Sequence, residues 1–140
     1  MSGGRIATVV RVRRLQERLA RAEVGRSRAE LAARVGHEAA LWSAVADRTT
    51  ATPGTMSPDA LRARRAMLAG GVSGARRAGL GVNVARTAVD GAMEHWSAAA
   101  QRREGIERLA TRAAEALQAE QARLDGLELD DLVIARWNRA

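Results

Sequence analysis

From residue 6 to about residue 47 no proline interrupts the chain, and apolar positions recur at intervals of three and four, the spacing that places side chains on one face of a helix. Val12, Leu15, Leu19 and Ala22 form one stripe, and Leu31, Val35, Trp42 and Val45 a second. The second is shifted in phase, and the shift falls in the weak stretch 25–29, as in a coiled coil whose heptad is interrupted. Glu17 with Arg21 and Glu30 with Arg34 are i,i+4 pairs of the favourable order on the polar side.

Residues 49–57, TTATPGTMS, are the one clear break. Pro53-Gly54 is turn chemistry, and the β-branched threonines weaken a helix on either side. Ser57, Pro58 and Asp59 then read as a helix start: a capping hydroxyl, a proline at the first helical position, and an acid at the positive end of the helix. The second helix is expected over about 58–137. Leu61, Leu68, Val72, Ala75, Val82, Val89, Met93 and Trp96 stand in a heptad-like register. Another phase shift is expected before Ile106, Leu109, Ala113, Leu117, Glu120 and Leu124. Five glycines in 70–81 predict a soft region, since each costs about 1 kcal/mol relative to alanine in a helix.

Two helices joined by a nine-residue turn predict an all-α fold, an antiparallel two-helix coiled-coil hairpin in a single domain. Helix one covers about 6–47. Pairing outward from the turn places Trp42 near residues 61–68 and carries helix one only to about residue 100. The final third of the chain is left to overhang, fold back or meet a partner.

Composition narrows the class further. Leu, Ile, Val and Phe make up 27 of 140 residues, too few for an ordinary globular core, while 31 alanines favour helix. All 23 basic residues are arginine, and the net charge is +7. Residues 1–89 carry 16 arginines against 6 acids, and residues 90–140 carry 7 against 10, a polarity suited to different partners along the molecule. Without cysteine, neither a disulfide framework nor a zinc ribbon can form. No apolar run approaches the roughly 18 residues of a membrane span, and the N-terminus lacks the apolar core of a secretory signal, so the expected location is cytoplasmic.

No catalytic constellation emerges. His37-Glu38 begins like the zinc-protease helix, but Leu41 stands where the second histidine is needed. His95 has no partner at ligand spacing, and the glycines of 70–81 lack the lysine of a phosphate loop. The chain is therefore expected not to be an enzyme and to need no cofactor, metal or small-molecule substrate. Arg11, Arg13, Arg14, Arg18 and Arg21 crowd the first helix, but glutamates are interleaved and no aromatics stand ready to stack on bases, which argues against nucleic acid. In an antiparallel hairpin Arg11, Arg13, Arg14 and Glu17 come alongside Arg102, Arg103, Glu107, Arg108 and Arg112, and these nine are the candidate partner-binding residues.

Val9-Val10-Arg11-Val12-Arg13-Arg14-Leu15-Gln16-Glu17 is similar to the start of FliJ-type flagellar export proteins, which open with an apolar pair, a basic residue and a heptad leading to Glu. Arg102-Arg103, Ile106-Glu107-Arg108-Leu109 and Arg112 resemble the basic pair, Leu-Glu-Lys/Arg-Leu and arginine of that family. Glu120-Gln121, Asp130-Asp131 and Arg136-Trp137 resemble its ending. Gly105, Thr111 and Gly126 depart from its usual pattern.

The resemblance implies a coiled-coil hairpin like the central stalk of rotary ATPases. Its partners would be the hexameric export ATPase of the flagellar type III apparatus, which hydrolyses the ATP, a membrane export-gate protein, and substrate chaperones. Its place would be the inner face of the cell membrane, held peripherally. Two other readings stay open on the residues alone. One is a generic coiled-coil scaffold or nucleic-acid-associated helical protein. The other is a secreted WXG-type hairpin, although Pro53-Gly54 stands where its Trp-x-Gly turn belongs.

Overall fold

The computed structural model describes residues 3–51 and 54–139. Pro53, expected in the turn, lies outside them. Two helices account for nearly all of the described chain, α1 (Gly3–Thr50) and α2 (Pro58–Trp137), and no strand occurs among the described residues. The fold is an all-α helical hairpin.

The helix ends follow local chemistry. At the end of α1, Thr49 Oγ1 donates to the Val45 carbonyl at 2.8 Å and Thr50 Oγ1 to that of Asp47 at 3.2 Å, so both threonine hydroxyls bond back onto their own last turn. Ser57 Oγ accepts from the Ala60 amide at 3.2 Å, as the start signal predicts. Residues 70–81 are helical throughout, and none of the described glycines has a positive φ.

By contact the chain forms two compact units, Leu19–Trp96 and Met1–Arg18 with Ser97–Ala140. Inside Leu19–Trp96 the helices run antiparallel, with Val45 beside Gly71, Glu38 beside Gly79, and Arg21 beside Trp96. The inward positions of α1 are Ala20, Val24, Ser27, Leu31, Glu38, Leu41 and Val45. These keep one heptad phase, so the shift expected at 25–29 is absent. Leu19 (59% exposed), Val35 and Trp42 turn outward. These large apolar residues mislead because small and polar ones, Ala20, Ser27 and Glu38, share the seam with Val24, Leu31, Leu41 and Val45. On α2 one heptad position is small in every repeat, Gly71, Ala78, Ala85, Ala92, which lets the helices approach closely. Val82 and Val89 fill the alternate position, whereas Leu61 and Met93, assigned to the seam, are exposed.

The register also differs from pairing outward from the turn. Val45 faces Gly71 and Glu38 faces Gly79, so Trp42 falls opposite residues 74–75, not 61–68. Arg64 bridges the two helices at this offset. Its Nη2 donates to the carbonyls of Arg48 at 2.8 Å and Ala51 at 2.7 Å, which anchors the last turn of α1 one and a half turns inside α2.

In the other unit Ile6, Val9, Val10, Arg13 and Glu17 of α1 are half-buried, as are Arg103, Ile106, Glu107 and Ala110 of α2, while Ala99 is buried. The spacing 99, 103, 106, 110 is again unbroken, so the second expected phase shift is absent, and Leu109 points outward. Gly3, Ile6 and Ala7 share a depression with Ala110, Ala113 and Leu117. Beyond Leu117 α2 continues to Trp137 with nearly all its residues exposed, so the overhang among the expected outcomes starts later than residue 100, where pairing outward from the turn put it.

Candidate partner-binding site

Four of the nine candidate residues meet across the two helices. Arg103 is the hub: its Nε donates to Glu17 Oε2 and its Nη1 to Glu107 Oε2, each at 2.5 Å, while Arg14 Nε donates to Glu107 Oε1 at 2.8 Å. The heptad places Glu17 and Arg103 where a coiled coil holds core residues, and their side chains are only 22% and 25% exposed. A charge there is tolerated because each is met by an opposite charge in good hydrogen-bond geometry. The Arg14 hydrogen bond, then the one from Arg103, lowers the Glu107 carboxyl below the ordinary glutamate range. Hydrogen bonds to Glu107 and Glu17 raise Arg103 further above its already high value.

The remaining candidates are disposed differently. Arg13 is half-buried and donates to Gln16 Oε1 at 3.0 Å. Arg108 is exposed and lies 3.5 Å from Glu104. Arg11, Arg102 and Arg112 are exposed and form no ion pair with the described residues. A shallow groove runs between Arg11, Arg14, Leu15 and Arg18 on one side and Arg103 and Glu107 on the other. Sequence reasoning left Arg18 out of the candidate set, although its place four residues after Arg14 puts both on one helix face. Arg64 was also missed as a structural residue, because a helix-capping arginine on the partner helix leaves no local signal.

No helix of the described residues is long and apolar enough to cross a membrane. Two helices with a charged seam and exposed arginines define a helical-hairpin protein suited to contact with other proteins. Residues 1–140, the whole chain, match the family model described as flagellar FliJ protein. The chain belongs to the FliJ family and is a component of flagellar protein export. No curated protein and no solved structure is significantly similar to it. Family membership decides against the secreted WXG-type and generic-scaffold readings.

Proposed function

We propose that the chain acts as the central stalk and activator of the hexameric flagellar export ATPase, with its chain ends, not its turn, directed into the ring. The partner hydrolyses ATP and this chain does not. It also contacts the membrane export gate and escorts substrate chaperones, from the cytoplasm and peripherally at the inner face of the membrane. The observation that carries this reading is the family match over the full chain. The geometry supports it with exposed Arg11, Arg18, Arg102 and Arg112, which lie in the unit containing both chain ends and suit an acidic rim.

The pairing of Arg14, Glu17, Arg103 and Glu107 sharpens the test. Reversing Arg14 or Arg103 disturbs the hairpin itself, so Arg11, Arg102 and Arg112 are the residues to reverse. The triple change to Glu is expected to abolish stimulation of the ATPase at unchanged helical content. Arg62→Glu with Arg65→Glu, near the turn, is expected to leave stimulation nearly intact. If the turn-proximal pair is the more damaging, the proposed orientation is wrong; if neither set matters, the activator role is.

A further inference from the structure

The α2 segment past the start of α1 is apolar around most of its circumference. Leu124, Leu127, Leu129, Leu132, Val133 and Ile134 are all exposed. Leu117, Leu124, Leu127 and Ile134 continue the heptad phase of Ile106 and Ala110, so the face that packs on α1 runs on past Gly3, the first residue of α1. A helix with such a surface is stable in water only with a cover. The segment is also acidic: Asp125, Glu128, Asp130 and Asp131 lie between Arg123 and Arg136 with no base among them.

The opposite chemistry stands elsewhere on the same chain. Residues 60–89 hold six arginines and no acid. Of these, Arg65, Arg76, Arg77 and Arg86 are exposed and form no ion pair with the described residues. Ala69, Val72, Ser73 and Leu80 line a shallow depression with Arg76 and Arg77. Leu80 and Val84 are 65% and 71% exposed, so an apolar strip flanked by arginines turns away from the seam.

We infer that the acidic apolar segment 124–137 docks on the basic apolar face around Arg76, Arg77 and Leu80 of a second copy of this chain. Charge complementarity selects that occupant. Two acidic segments repel one another, as do two basic faces, whereas a segment laid on the face pairs carboxylates with arginines and covers both apolar strips. This goes beyond the export reading and does not depend on it.

Sedimentation of the full chain tests the inference. At low salt the weight-average mass is expected to rise from 15.0 kDa toward twice that value as concentration goes from low micromolar to a few hundred micromolar. Raising salt from about 0.05 M to about 0.5 M should reverse the rise, since exposed charges are then screened. Arg76→Glu with Arg77→Glu, and separately Asp130→Arg with Asp131→Arg, should each stay monomeric at unchanged helicity. Mixed, the two variants should associate, because the reversed face of one fits the reversed segment of the other. The inference is overturned if the native chain stays monomeric throughout, the outcome expected if another protein covers the segment. A monomer in which amides 124–137 are strongly protected from exchange, as when the segment folds back on its own chain, overturns it too. So does association that survives both reversals, or a mixture that does not associate.

Discussion

Gly79 leaves the space that the Glu38 carboxylate occupies: a methyl group on Gly79 would lie 3.0 Å from Glu38 Oε1. Gly71 is in the same position with respect to Val45 Cγ2, also at 3.0 Å, whereas Gly70 and Gly74 face open space. Gly70→Ala and Gly74→Ala should each stabilise the protein by about 1 kcal/mol, the helix-propensity difference. Gly79→Ala should gain somewhat less, because a glutamate tip can move. Gly71→Ala should gain nothing or destabilise, because a β-branched valine in a helix has one preferred rotamer and cannot give way. Urea midpoints of the four variants check the order; equal gains at all four would show that close approach plays no part.

Leu19→Ala separates the stripe of large residues from the seam observed. Leu19 is 59% exposed, while Val24 is 4% exposed and Val89 8%. Leu19→Ala should therefore change stability by less than about 0.5 kcal/mol. Val24→Ala and Val89→Ala should each cost about 2 kcal/mol, from lost burial plus the cavity left behind. Thermal unfolding of the three decides it. A large loss at Leu19 would mean that this residue is covered in solution.

These results mark what the sequence could carry. Helix boundaries are written in local chemistry, so Ser57-Pro58 and the threonines at 49 and 50 are readable without the fold. The seam is not readable from its large residues. Where leucine would mark a heptad, this chain places Ser27, Glu38, Gly71, Ala85 and Arg103, and such residues become core only when another helix lies against them. The candidate site was half legible: antiparallel pairing brings α1 residues 11–18 to α2 residues 102–112. Which charges pair with each other depends on the helix register, which leaves no local signal in the sequence.

Glu107 gives that charged layer a pH dependence. Its folded-state pKa is depressed, first by the Arg14 hydrogen bond and then by Arg103. Its contribution to stability is therefore present above the unfolded glutamate pKa and is lost as pH falls through the lower folded value. Arg103 is raised by its hydrogen bonds to Glu107 and Glu17, so it stays charged through the acid range and its pairing is lost only as those carboxylates are protonated. The melting temperature should fall as pH drops through the ordinary glutamate range and below, with amides of residues 3–18 losing exchange protection before those of 20–45. Glu107→Gln should flatten the fall. Glu120 is also depressed, by Arg123 alone, and it lies beyond the start of α1. Glu120→Gln should thus leave protection of 3–18 unchanged. If both variants act alike there, the layer does not hold the helices together.

Arg64 is the remaining case, because one guanidinium nitrogen serves two carbonyls of the other helix, those of Arg48 and Ala51. These are the carbonyls that a helix end leaves without partners, and a charged donor is the stronger kind of cap. Arg64→Ala should cost about 1–2 kcal/mol, within the range for hydrogen bonds to a charged group. Arg62→Ala, whose only pairing among the described residues is a largely exposed contact with Asp59 at 3.2 Å, should cost less than about 0.5 kcal/mol. Arg64→Lys should recover only part of the loss, since the shorter, flexible lysine stem holds its ammonium less firmly where Arg64 Nη2 stands. Exchange should localise the effect to amides 45–51, which fray first when the cap is removed. Equal losses for Arg62→Ala and Arg64→Ala would show that net charge near the turn, not capping, is what matters there. For the same reason, a turn-proximal charge reversal that includes Arg64 cannot serve as a control for partner binding, because it acts on the fold before it reaches any partner.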